Sequence, residues 1–215
     1  MKHLAIIADG NRRWATKNNL PTQLGHAQGL VCIERICEWA IESHITYLTF
    51  YVFSTENWRR HQNEIDHIFE LARDYFVSAS SWYIARGIKV QFSGRRDRMP
   101  IDVVDSIRSL ESLTANGSNL ILTICADYGG RDEIVRAVAA GATTEDEISE
   151  MLLNTAPDPD VIFRTGGNHR LSNFLLWQSA YAELMFTDTL FPDLNNSELD
   201  KLIDEYEHIQ QNFGK

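Results

Sequence analysis

The order of apolar runs along the chain predicts an α/β fold: one domain over residues 1–215, with a largely parallel central β-sheet surrounded by helices. Three observations carry that expectation. Short runs rich in apolar and β-branched residues alternate with segments of helical periodicity. The first run is apolar at every position, as a strand buried on both faces is. The unusual polar clusters fall just after the runs, where open α/β sheets place their ligands.

Taken in order, Leu4-Ala5-Ile6-Ile7-Ala8 reads as a strand stopped by the turn residues Asp9-Gly10-Asn11. Leu30, Ile33, Cys37, Ala40, Ile41 and His44 recur at helical spacing. Ile45 to Phe53 reads as a second strand, ending in Ser54-Thr55-Glu56-Asn57-Trp58. One long helix is predicted from Gln62 to Arg86 and closed by Gly87, followed by a strand over Ile88 to Phe92. A helix opens at Pro100 and runs to Leu113, and Asn119 to Ala126 is a strand leading into Tyr128-Gly129-Gly130-Arg131. Two shorter helices, a strand at Val161-Ile162-Phe163, and a C-terminal helix opening with Ser197 and Asp200 at capping-box spacing complete the chain. Tyr181 to Phe186 is apolar apart from Glu183. An unpaired buried carboxylate would be costly there, so the glutamate has a metal or arginine partner or occupies a half-exposed helix position.

A length of 215 residues with 44% hydrophobic content suits a single well-buried core and is short for two domains. Thirty acidic against twenty basic residues give a net charge of −10, which argues against a nucleic-acid partner. Any phosphate chemistry is therefore local. Cys32, Cys37 and Cys125 cannot all pair, and Cys32 and Cys37 point roughly 140° apart on a helix. Free, buried thiols fit a reducing compartment, so the expected localisation is cytoplasmic. No signal segment and no bilayer-length apolar stretch is visible, which leaves at most transient membrane contact.

Two clusters carry chemistry. Asp9-Gly10-Asn11-Arg12-Arg13-Trp14 combines a carboxylate for a divalent cation, backbone amides freed by glycine, and paired guanidiniums, the set that a diphosphate with Mg²⁺ needs. Read alone it is also an ordinary Asp-Gly-Asn turn. Arg164-Thr165-Gly166-Gly167-Asn168-His169-Arg170-Leu171-Ser172 places two arginines around a glycine pair, fit for a second phosphate or for a plain polar loop.

Together with Gly25-His26, Phe53-Ser54-Thr55-Glu56-Asn57-Trp58, Tyr128-Gly129-Gly130-Arg131, Pro157-Asp158-Pro159-Asp160, and Arg164 through Gln178 followed by Ala182-Glu183-Leu184, these segments resemble the undecaprenyl diphosphate synthase family along nearly the whole chain. That family comprises the cis-prenyltransferases. The resemblance implies a Mg²⁺-dependent, cytoplasmic homodimer condensing isopentenyl diphosphate with an allylic diphosphate. It makes Asp9 the Mg²⁺ ligand, with Glu183 as a second carboxylate near the metal. It puts Gly10, Asn11, Arg13, His26 and Arg60 at the allylic diphosphate, counts Arg12 and Trp14 among the substrate-binding residues, and places Ser54, Asn57 and Trp58 at the reacting end. It assigns Arg164, Arg170 and Ser172 to isopentenyl diphosphate. Asn57, His26, Ser54 and a diphosphate oxygen are all candidate proton acceptors. Apolar positions such as Val52, Phe69, Ala72, Tyr75, Phe76 and Ala79 are candidates for a tunnel wall, and Val52 with the bulk of Trp82 and Tyr83 points to a short or medium product.

Three positions depart from the family pattern: Thr22 where an arginine is usual, Asn168 where glutamate is common, and Asn212 where a terminal arginine is usual. They keep two alternatives open, an irregular synthase giving a branched or cyclic product and a non-catalytic subunit of a heteromeric prenyltransferase.

Overall fold

A computed structural model of the chain describes residues 1–153 and 156–209; Asn212 lies outside them. Six strands form one sheet: β1 (His3–Ile7), β2 (Tyr47–Ser54), β3 (Ile88–Ser93), β4 (Leu120–Tyr128), β5 (Val161–Arg164) and β6 (Glu183–Phe186). Their order is β3-β4-β2-β1-β5-β6, and every pairing is parallel. All carboxyl ends therefore share one edge. The connections from β1 lead first toward β2, β4 and β3, and the chain later returns to β5 and β6 on the other side, so a crevice opens at the carboxyl end of β1.

Helices α1 (Asn11–Lys17) and α2 (Thr22–Glu42) link β1 to β2. α3 (Gln62–Ser78) and α4 (Ser80–Ala85) link β2 to β3, and α5 (Ile101–Leu113) links β3 to β4. α6 (Gly130–Ala139), α7 (Glu145–Met151) and, after β6, α8 (Asn196–Glu207) complete the set. The alternation of the pleat sorts the strand side chains. Leu4, Ile6, Leu48, Phe50 and Leu122 pack with Cys32, Ile36, Leu199 and Leu202 on one face. Ala5, Ile7, Tyr51 and Ile162 pack with Phe174 and Leu175 on the other. The three cysteines are free and buried, as their spacing predicts.

Three expectations need correction. The helix read from Gln62 to Arg86 is two, because the backbone at Ala79 leaves the helical repeat; no proline or glycine marks the break. Tyr181 to Phe186 supplies an edge strand, not a helix face. The C-terminal helix is capped by Asn195, whose side chain accepts the Glu198 N–H, and not by a Ser197/Asp200 box; Asp200 instead accepts the Trp39 indole N–H at 2.8 Å. The Pro157 to Asp160 motif is a staple of the fold: the Asp160 carboxylate accepts the N–H groups of Lys2 at 2.5 Å and His3 at 2.8 Å, fixing the entry to β1.

Candidate active site

At the carboxyl end of β1, Asp9 meets residues 155 or more positions away in sequence. Its backbone N–H donates to Thr165 Oγ1 at 3.1 Å, and that hydroxyl donates to the Asp9 carbonyl at 2.7 Å. The two chain segments are thus knotted before any charge is considered. Asp9 Oδ2 then accepts from Arg164 Nη2 and Asn168 Nδ2, both at 2.9 Å, while Oδ1 accepts from Arg13 Nη2 at 3.1 Å. Burial pushes the carboxyl pKa up, but the hydrogen bonds from Arg164 and Asn168 and the charge of Arg13 outweigh it, so Asp9 titrates below its ordinary range.

Arg164 is itself held from behind. Its Nη1 donates to Ser172 Oγ at 2.7 Å and to the Arg170 carbonyl at 2.5 Å, and its side chain is 6% exposed. Arg13 Nη1 reaches the Gly166 carbonyl at 2.7 Å. Gly166 has φ +80°, a conformation that costs a side-chain-bearing residue energy. A Cβ there would also lie 2.5 Å from Arg13 Nη2. Arg170 and Ser172 are exposed residues.

A second group faces Asp9 across the crevice. Arg60 pairs with Glu64 at 3.0 Å, and Arg12 approaches the same carboxylate at 3.7 Å. His26 lies among them. Burial, then the charge of Arg60, lowers its pKa to about 4, so the ring is neutral at physiological pH. Gly25, one residue earlier, lets α2 touch α1: a Cβ there would collide with the Asn11 carbonyl.

Below this mouth runs a cavity of about 810 Å³. Asp9, Gly10, Asn11, Arg12, Arg13, Thr22, His26 and Arg60 line its upper end, and Val52, Phe69, Ala72, Phe76 and Ile107 are among its apolar walls. Val52, in the middle of a central strand, is 40% exposed because it faces this hollow. Tyr75 and Tyr83 also line it; their hydroxyls are 2.9 Å apart, and Tyr75 donates to Glu34 Oε1 at 3.0 Å. From Glu64 at the mouth to Tyr75, α3 descends roughly 17 Å at about 1.5 Å per residue.

Several residues named from sequence stand apart from the lining. Trp14 donates its indole N–H to Asp193 at 2.6 Å and ties α1 to the segment before α8. Ser54 and Asn57 close a capping box on the 3₁₀ turn Thr55–Arg59. Trp58 packs against Phe53 and Phe69, with the Arg98 guanidinium 5.3 Å above its ring. Ala79 belongs to the packed core, and Trp82 lies under Arg86 at 4.1 Å. Within one chain the structure does not bring Glu183 to Asp9. Glu183 pairs with Val161, which pairs with Leu4. It therefore sits about 10 Å short of the carboxyl edge and about 10 Å to the side.

Sequence reasoning missed the direct hold of Asn168 and Thr165 on Asp9; their place in a polar run beside Arg164 was the available signal. Among the described residues no group of three His, Cys, Asp or Glu side chains converges as a metal cage. The ionised carboxylate of Asp9, amid donors suited to phosphate oxygens, fits the other mode of Mg²⁺ binding, one or two carboxylates plus substrate phosphates.

Fixed cations above a largely apolar hollow, at the carboxyl edge of a parallel sheet, suit an enzyme acting on a diphosphate with an apolar tail, and comparison with known proteins makes it a prenyltransferase. The chain belongs to the undecaprenyl diphosphate synthase family: residues 7–214 match the family model described as "Putative undecaprenyl diphosphate synthase". It is 42% identical to an isoprenyl transferase of Aquifex pyrophilus over 221 residues, covering all of this chain and 96% of the relative. An isoprenyl transferase of Fusobacterium nucleatum subsp. nucleatum is 41% identical, with 99% and 95% covered. Among solved structures, lavandulyl diphosphate synthase from Lavandula x intermedia, in complex with dimethylallyl diphosphate, superposes with a TM-score of 0.94 at 29% identity, covering 100% of this chain and 98% of that one. A "probable undecaprenyl diphosphate synthase" from Campylobacter jejuni gives 0.86 at 34% identity, with 100% and 99% covered.

Proposed function

We propose that this prenyltransferase condenses isopentenyl diphosphate with an allylic diphosphate, with Mg²⁺ as cofactor, and releases a short- to medium-chain cis-prenyl diphosphate. The observation that carries the reading is the union of Asp9, Arg13, His26 and Arg60 with the 810 Å³ apolar hollow beneath them. Ionising an allylic diphosphate builds negative charge on the leaving group, and Arg13 and Arg60 are set to stabilise it. Asp9 is the residue that would hold Mg²⁺ beside the diphosphate, where the ion would supply further charge neutralisation. Arg164, Arg170 and Ser172 hold the second diphosphate, so that its double bond attacks the allylic carbon as the allylic C–O bond breaks and diphosphate leaves; the resulting cation then loses a proton from the adjacent carbon, whose C–H pair becomes the new double bond. His26, neutral near pH 7, is a basic nitrogen beside the mouth; Ser54, Asn57 and a diphosphate oxygen are the other candidate acceptors.

Each five-carbon unit drawn into the hollow gains on the order of 3–4 kcal/mol, at about 0.8 kcal/mol per buried carbon group. A depth of roughly 17 Å takes about three or four such units at about 5 Å each, which supports the shorter product. The enzyme acts in the cytoplasm as a homodimer, and a native mass of twice 24.6 kDa by light scattering checks the second point. Among the described residues no helix is long and apolar enough to cross a membrane.

A second reading, an irregular coupling of two five-carbon diphosphates, is favoured by the close superposition on lavandulyl diphosphate synthase and by Thr22 in the mouth. Incubation with Mg²⁺, isopentenyl diphosphate and each of dimethylallyl, geranyl and farnesyl diphosphate decides between them. Linear Z products, lost in Asp9→Ala, support the first reading. Branched or cyclic products support the second, and silence with every primer overturns both in favour of a non-catalytic subunit.

A further inference from the structure

We propose that Asn173 and Glu56 form a clasp that fixes the separation of the two diphosphate subsites, which makes Asn173 a positioning residue for the coupling step. The inference rests on the two-subsite reading above.

Three segments distant in sequence converge on Asn173. Its Oδ1 accepts the Arg131 N–H at 2.9 Å, its carbonyl accepts the Gly130 N–H at 2.7 Å, and its Nδ2 donates to Glu56 Oε1 at 3.0 Å. The approach is close enough to require glycine opposite: a Cβ on Gly129 would lie 2.7 Å from both Asn173 Nδ2 and Thr55 Oγ1. Ser172 and Asn173 are consecutive residues with φ 50° and 68°. Two such residues in a row store strain that the surroundings must hold, and asparagine tolerates that conformation better than most.

The clasp joins the two halves of the mouth. On one side Glu56 belongs to the 3₁₀ turn whose capping residues are Ser54 and Asn57, with Arg60 directly after it. Burial raises the Glu56 pKa, but its own backbone N–H and the donors on Asn173, Ser54 and Thr55 together hold it below its ordinary value, as a carboxylate gripped at several points would be. On the other side Ser172, the residue before Asn173, holds Arg164, which holds Asp9. Coupling two bound molecules depends steeply on the distance between them, and a misplacement of about 1 Å can cost about a hundredfold in rate.

The test uses the full chain and four proteins: wild type, Asn173→Asp, Glu56→Gln and the double variant. Asn173→Asp sets two carboxylates face to face. It should lower kcat about tenfold while KM for each diphosphate moves less than about threefold. In the double variant the amide introduced at position 56 donates to the carboxylate introduced at position 173, whose other oxygen still accepts the Arg131 N–H, and kcat should return to within about threefold of wild type. An unchanged kcat in Asn173→Asp, or a loss that Glu56→Gln does not repair, overturns the clasp while wild type stays active. A wild type that couples no pair of diphosphates overturns the two-subsite reading instead, and the clasp with it.

Discussion

An aspartate gripped by two guanidiniums and an amide keeps its charge far into acid, and Asp9 ties that charge to stability. Its folded pKa lies below the ordinary 3.8, so the contribution of its pairs is fully present above about pH 3.8 and is lost as the pH falls through the lower folded value. Asp9→Asn should therefore be less stable than wild type by about 1–3 kcal/mol near neutrality. The gap should close below pH 3.8 in urea melts taken across the acid range. His26 behaves in the opposite way. Its folded pKa of about 4 lies under the ordinary 6.5, so the unfolded chain binds a proton in that window and the folded chain does not. Stability falls as the pH drops from 6.5 toward 4, and His26→Gln should flatten that stretch of the melting curve. If His26 drives a break in the rate profile, the break belongs near pH 4 and not near 6.5.

Among the elements, what could be read from sequence followed hydrophobic pattern, and what could not lacked one. The first five strands were legible because Leu4 to Ala8 is apolar throughout and Ile45 to Phe53 is dense in β-branched and aromatic residues, with no competing helical period. The edge strand β6 was not, since four residues beginning with Glu183 pair on one side only and carry no alternation. The break at Ala79 was harder to read, because no proline or glycine stands there and only the serines Ser78, Ser80 and Ser81, which favour caps and turns over helix interiors, mark it. The site divided along the same line. Asp9, Arg13 and Arg164 stood out as charges placed after strands, whereas the grip of Asn168 on Asp9 depends on loop geometry that no spacing encodes. The break has a use, because it turns Tyr83 on α4 back to Tyr75 on α3, so that the paired tyrosines line one end of the hollow. Tyr83→Ala should open that end and lengthen the products by one five-carbon unit or more in mass spectra. Tyr83→Phe, which keeps the bulk and loses one hydrogen bond, should leave product length unchanged and cost about 1 kcal/mol of stability.

At the scale of the whole molecule, net charge and local charge have opposite signs. A chain of −10 presents Arg12, Arg13 and Arg60 around one opening, so its field attracts diphosphates at short range and repels polyanions elsewhere. The hollow beneath that opening has a thermodynamic meaning of its own. Its apolar walls are open to solvent where a filled core would pack side chains together, so contacts and burial that other proteins of its size collect are missing there. A guest that enters restores those contacts and binds only the folded chain, raising the melting temperature by mass action. Dimethylallyl, geranyl, farnesyl and geranylgeranyl diphosphates at equal concentration should thus raise it in ascending steps. The steps should stop at the first guest whose tail meets Tyr75 and Tyr83, so that a calorimeter reads the depth of the interior like a gauge, with no turnover at all.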